Sequence, residues 1–262
     1  MRQATIVAFY GEKPDAFARL IELCCEKIKS ALGDEFSSYQ VEQVHATLVG
    51  VERALDSTLR NLNFRRYRNS TVEMNLPEFV QYLRSKAPMP FSTQIGGFSD
   101  TDYPFTSRGQ RPYNRSFSIQ GDKVVVMGWP QLGQTEEQRQ VAEAHKTRQS
   151  LSYPNTLNKI RLEAQAYGIL HAYHRNPSDV DNDFYFRLGV LNSPQSAAST
   201  HRKLEADLRQ FLATEGPLIA DVGLSDLYVA SYDDDTLPRI STRAWPLTEF
   251  EPGCDLLRVL YE

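Results

Sequence analysis

Cysteine is scarce and scattered. The 262-residue chain holds three, Cys24, Cys25 and Cys254. Two adjacent thiols and one distant one make neither a disulfide framework nor a zinc spacing. That scarcity suits a reducing, cytoplasmic setting. Long apolar runs are missing as well, and no stretch approaches the ~20 residues of a membrane span. The opening MRQATIVAFYGEKP lacks the extended apolar core of a secretory leader and is expected to be a strand. Positive charge is not in excess. The 29 Lys and Arg are outnumbered by 33 Asp and Glu, leaving a net charge of −4. A role on duplex DNA, which rewards a basic surface, is therefore disfavoured. A small basic pocket within an acidic protein stays open. There is also no P-loop, no G-x-G-x-x-G after a strand and no G-x-S-x-G elbow. Triphosphate, dinucleotide and serine-hydrolase chemistries gain no support.

What is present is an ordinary globular composition, 41% hydrophobic and 24% charged, in a chain able to bury a sizeable core. ATIVAFYG (4–11) reads as a strand. Phe17, Leu20, Ile21, Cys24, Ile28 and Leu32 then recur at three- and four-residue spacing, an amphipathic helix stopped by Gly33. Residues 53–75 are mixed and polar. Asn75 with Pro77 opens a helix, LPEFVQYLRS. PFSTQIGGF (90–98) is a strand broken by paired glycines, and 100–114 is a loop. RSFSIQGDKVVVMGW is a hairpin turning at Gly121-Asp122. Thr135 with Gln138 starts a polar helix near 135–150. Asn155 or Thr156 starts another, with Leu157, Ile160, Ala164 and Tyr167 on one face. DFYFRLGVL (183–191) is a strand. Leu204, Leu208, Phe211 and Leu212 mark a helix ending at Gly216. LSDLYVASY (224–232) is a strand, and DDDTLP a turn. Helices and hairpins mixed in this order predict an α+β fold with antiparallel sheet.

One stretch speaks of chemistry. QVHATLVGVE (43–52) has the composition of a half-buried strand. Alternation along a strand places His45 and Thr47 on one face. A buried strand ordinarily gives that face to core, and a lone histidine there is more often a satisfied structural residue.

H-x-[ST]-Φ on a strand, after an opening strand and one long helix, resembles the two-histidine (2H) phosphoesterase superfamily. Here it stands as His45-Ala46-Thr47-Leu48. ATIVAFYGEKPDAFARLIELCCEKIK is similar to the opening strand and helix of that family. PFSTQIGGFSD with its following hairpin resembles the middle section, and LSDLYVASYDDDTLP with AWPLTEF the close. The resemblance spans nearly the whole chain and implies a single two-lobed domain over residues 1–262. Its pseudo-symmetric lobes of antiparallel sheet, flanked by helices, enclose a central cleft, with half-repeats of about 1–130 and 131–262. It also implies metal-free hydrolysis of a 2′,3′-cyclic phosphate, with no cofactor. One imidazole activates water and another protonates the leaving oxygen, while the hydroxyls hold phosphate oxygens.

The chain departs from that pattern at its second motif. Matching Leu188-Gly189 to the family's H-x-[ST]-L-G places Tyr185 at the histidine position and Arg187 at the Ser/Thr position. Tyr185 follows His45 by 140 positions, about half the chain. Both side chains share a strand face. Arginine is a good phosphate fork. A phenol, with its ordinary pKa near ~10, is a poor base at neutral pH. Tyr185 or His174 would have to stand in for the missing imidazole, His174 swinging in from GILHAYHRNPSDVDND. The plainer reading makes His171 and His174 the solvated, frayed end of a helix. Two histidines so spaced lack a third metal ligand.

Arg108, Arg111 and Arg115 lie on the 100–114 loop and its edge, where they are candidates to grip phosphates. FRRYRNS (64–70) mixes arginines with aromatics, as single-strand RNA binders do, but in a protein of net negative charge a local surface face is the preferred reading. Asp233-Asp234-Asp235 lacks the alternation of a calcium loop and reads as a turn. The expected ligand is a nucleotide or RNA end with a cyclic or terminal phosphate. Two activities compete: a divergent cyclic phosphodiesterase, or a degenerate phosphate or nucleotide binder of the same fold. Neither calls for a membrane or for duplex DNA.

Overall fold

The computed structural model describes residues 2–55, 59–132, 153–192, 198–249 and 260–261. The polar helix expected near 135–150, and Cys254, lie outside the described residues. Ten strands are described: β1 Gln3–Ala8, β2 Phe36–Ser38, β3 Ala46–Gly50, β4 Phe91–Ile95, β5 Phe117–Gln120, β6 Lys123–Gln131, β7 Phe184–Leu191, β8 Leu218–Val222, β9 Leu227–Tyr232 and β10 Arg243–Pro246. The main helices are α1 Asp15–Leu32, α2 Leu62–Arg68, α3 Leu76–Ser85, α4 Thr156–Glu163 and α5 Ala198–Glu215.

The strands form one sheet in the order β10-β9-β1-β3-β7-β6-β4-β8, with β2 added to β7 and β5 to β6. Every pairing is antiparallel, so the fold is α+β as expected. The two sides of the sheet do not follow the two halves of the chain. β6 and then β4 follow outward from β7, while β9 and then β10 follow outward from β1. The central pair is β3 with β7, joined where Ala46 faces Phe186.

Alternation sorts the two faces. Ala4, Ile6, Ala8, Ala46, Leu48, Phe184, Phe186 and Leu188 enter one core with α1, α3 and α5. α1 contributes Phe17, Leu20, Ile21, Cys24, Ile28 and Leu32, the stripe its periodicity predicts. Gly33 follows with φ +55, a backbone state a side chain would resist. On the other face of the sheet, Thr47, Tyr185 and Arg187 are left to line a cavity.

Both central strands carry an extra residue at the same place. Along β1, Val7 faces Thr47 but Ile6 faces Val49, so Leu48 is unmatched. Along β6, Val125 faces Arg187 but Val124 faces Gly189, so Leu188 is unmatched. A bulge reverses the alternation beyond it. Leu48 and Val49 therefore both enter the core, and Gly50 and Glu52 join Thr47 on the cavity side. Arg161 of α4 secures this bend. Its Nη2 donates to the Thr47 carbonyl and its Nε to the Leu48 carbonyl, both at 2.9 Å. Its Nη1 reaches Asp181 Oδ2 at 2.6 Å.

The polar segment 53–75 holds more structure than its composition predicts. α2 forms there because the Asn61 side chain accepts from the amides of Asn63 and Phe64 at its N-terminus. The short strands β2, β8 and β10 likewise had no sequence signal of their own.

Candidate active site

The cavity beside the central strands has two compartments that share Thr47, Glu52, Tyr185 and Arg187. The first is completed by Thr5, Tyr39, His45, Tyr232, Asp235 and Leu237. The second reaches past Gly50 to Arg108, Lys123, His171 and Tyr173. The four residues singled out on the two H-x-T-like segments thus meet in one place, although 140 positions separate the segments.

His45 is held by its own strand entry. Its Nδ1 lies 2.7 Å from the Gln43 carbonyl oxygen. A carbonyl only accepts, so Nδ1 carries the proton and Nε2 keeps a free lone pair. The Tyr10 ring meets the imidazole edge-on at 5.9 Å between centroids. Burial pushes the His45 pKa down to about 4; the Gln43 carbonyl opposes this, and the Arg187 and Lys13 charges reinforce it. At neutral pH the ring is an uncharged, oriented base.

Arg187 lines the same compartment. Its Nη1 donates to the Tyr39 hydroxyl at 3.1 Å, and its Nη2 lies 3.5 Å from Asp235 Oδ2. Asp235 belongs to the acidic run read as a turn. That turn exists: Asp234 accepts from the Thr236 amide. Its third aspartate, however, reaches the cavity as a counter-ion, a position the sequence did not single out. Tyr185 donates from its hydroxyl to Gln120 Oε1 at 3.1 Å. Burial pushes its phenol up to about 12, so it titrates far above neutrality.

Glu52 was also missed. Two positions past Gly50, regular alternation from His45 would turn it into the core; the bulge brings it to the cavity instead. Its Oε1 accepts from the Tyr232 hydroxyl at 3.1 Å. Burial raises its pKa, against the pull of its own amide and of Tyr232.

The other sequence candidates separate. Arg108 lines the second compartment, its guanidinium 4.0 Å from the Tyr173 ring centroid. It lies 3.8 and 3.9 Å from carboxylate oxygens of Asp181 and Asp183. Arg115 is buried behind that wall, its Nε 3.3 Å from the Ser107 hydroxyl. Its Nη2 lies 3.8 Å from Asp183. Arg111 is turned to solvent and paired with Asp100 and Asp102 at 3.1 and 3.0 Å. His174 does not face the cavity. It is fully buried, with Nε2 3.0 Å from Asn158 Oδ1.

The solvated reading of His171 and His174 is thereby corrected. Both are buried because Asp181, Asn182 and Asp183 fold inward and build a polar floor. Asn182 caps α4 by accepting from the Leu157 and Asn158 amides. Asp183 accepts from Trp129 Nε1 and the Ser107 hydroxyl, both at 2.7 Å. His171 Nε2 lies 3.2 Å from Asp181 Oδ2. Among the described residues, no group of three or more His, Cys, Asp or Glu side chains is placed to hold a metal ion. Nor is any described helix long and apolar enough to cross a membrane.

No family model matches the chain, and no curated protein matches it in sequence. Solved structures resemble it at a distance. A conserved protein of unknown function from Agrobacterium tumefaciens is 11% identical with a TM-score of 0.41, over 89% of this chain and 81% of that one. A protein from Thermus thermophilus is 10% identical with a TM-score of 0.39, over 94% of each chain. Usb1 from Kluyveromyces marxianus, solved with uridine monophosphate, is 11% identical with a TM-score of 0.39, over 93% of this chain and 98% of that one.

Proposed function

We propose that the chain is a metal-independent phosphodiesterase acting on a cyclic phosphate at a nucleotide or RNA end. One observation carries the reading: His45, Thr47 and Arg187 line the same compartment. A neutral imidazole with a free Nε2 is the group that takes a proton from water as it attacks phosphorus. Thr47 offers a hydroxyl to a phosphate oxygen. Arg187 balances the charge that develops on the other oxygens. Arg108 and Lys123, in the second compartment, supply cations for the part of the substrate beyond the phosphate.

The replacement of the second imidazole by Tyr185 favours one alternative, a protein that binds such phosphates without turnover. The two readings part in one assay. Turnover of 2′,3′-cyclic nucleotides and of short RNAs ending in a cyclic phosphate is measured with EDTA present, for wild type and His45→Ala. The phosphodiesterase reading expects wild-type turnover and a loss of ~10²–10⁴-fold in the variant. Wild type without turnover, yet binding the same nucleotides by calorimetry, supports the binder. Neither turnover nor binding overturns both.

A further inference from the structure

We propose that Glu52 is the second proton-transfer group of the cleft, giving its proton to the oxygen that leaves phosphorus. The assignment rests on the phosphodiesterase reading and adds its missing acid.

Position is the first argument. The bulge at Leu48 turns Glu52 to the same side as Thr47, and Glu52 borders both compartments. Room is the second. A Cβ on Gly50 would stand 2.2 and 2.8 Å from the two carboxyl oxygens of Glu52. The carboxyl thus folds back along the strand into space that only a glycine leaves free. Chemical state is the third. The half-buried carboxyl accepts from the Tyr232 hydroxyl, and burial holds its proton to higher pH than an exposed glutamate would.

Competitors are the fourth argument. Tyr185 already spends its hydroxyl proton on Gln120. His174 is locked on Asn158, away from the cavity. Asp235, with a side chain 69% exposed, is paired with Arg187 and suited to remain an anion. Glu52, the other carboxyl of the first compartment, is half-buried and has no cationic partner among the described residues.

The step balances. His45 Nε2 takes a proton from water, and the water oxygen bonds to phosphorus. The bond from phosphorus to one ribose oxygen breaks, and that oxygen receives the Glu52 proton. One water is consumed and a phosphomonoester results. The imidazolium and carboxylate left behind reset when a proton passes between them through solvent. No electron is gained or lost.

A leaving group that needs no proton exposes the acid. Wild type, Glu52→Gln and Glu52→Asp are assayed on a 2′,3′-cyclic nucleotide and on its analogue with bridging sulfur at the leaving position. A thiolate departs unprotonated. Glu52→Gln is expected to lose ~10²–10⁴-fold in kcat on the oxygen substrate and less than tenfold on the sulfur one. Glu52→Asp keeps an acid that is set back, and loses selectively on oxygen to a smaller degree. It supplies the oxygen-against-sulfur comparison, with a smaller ratio of the same sign, if the Gln variant fails to fold as judged by circular dichroism. Equal losses on both substrates, or none on oxygen, overturn the assignment and leave the phosphodiesterase reading intact. A wild type inert on both substrates overturns that reading, and Glu52's role with it.

Discussion

At the scale of single residues, the cleft is defined by how each side chain is prevented from doing something else. His45 has one nitrogen committed to the Gln43 carbonyl, which leaves the other available. Arg187 is steadied by Tyr39 and partly neutralised by Asp235, so an arriving phosphate competes with a carboxylate. The state of His45 makes a sharp prediction. An unperturbed imidazole would be half protonated near ~6.5, and a base of that kind would lose activity between pH 7 and 6. Burial holds His45 neutral down to about 4. The acid limb of kcat/KM set by His45 should therefore lie near pH 4, with no loss from the base between neutrality and pH 5. Short time courses after a pH jump read this before unfolding intervenes. A limb near 6.5 would mean that the working imidazole is exposed, or is not His45.

At the scale of elements, much of the fold is legible in the sequence. α1 shows its apolar stripe and its terminating Gly33, and α3 its Asn75 cap, whose side chain accepts from the Glu78 amide. The hairpin of β5 and β6 closes at Gly121-Asp122, and β7 runs Phe184–Leu191, as the sequence predicts. What stays hidden is what tertiary pairing decides. A bulge leaves no mark in residue type, so counting in twos from His45 sends Glu52 to the wrong face. Arg161 on a short, half-polar helix reads as surface, yet it is 1% exposed and ties β3 to the segment before β7. His174 looks like a loop residue until Asn158 and Asp181 are seen beneath it. Arg161 carries the prediction at this scale. Its removal strands the Asp181 carboxylate and the carbonyls of the bulge in the interior. Breaking one partner of a buried pair costs about 3–5 kcal/mol. Arg161→Met should lose that much in urea or thermal unfolding, and lose cleft activity with it. A loss below about 1 kcal/mol would mean that the pair is wet and the bulge self-supporting.

At the scale of the whole molecule, the same burial that sets up the cleft makes the protein sensitive to acid. His171, beneath the second compartment, has its pKa pushed down to about 4 by burial first and by Arg161 next, with Asp181 opposing. An unfolded chain takes up that proton near ~6.5. Between pH 6.5 and 4 the unfolded state therefore binds more protons than the folded one, and acid favours unfolding. The stability attached to a neutral His171 is complete above 6.5 and is lost as the pH falls to about 4. His45 acts in the same window and in the same direction. Glu52 and Asp183, whose carboxyls are raised by burial, act the other way. Wild type should therefore be compared with His171→Gln, which removes one titrating group and leaves the others in place. Both are unfolded in urea at pH 7, 5.5 and 4. Wild type should lose on the order of 2 kcal/mol more than the variant across that range. Parallel losses in the two proteins would show that His171 is already protonated when folded, paired as a cation with Asp181. The floor of the cleft would then be an ion pair and not a neutral hydrogen-bonded layer, and the second compartment would present one more positive charge to whatever enters it.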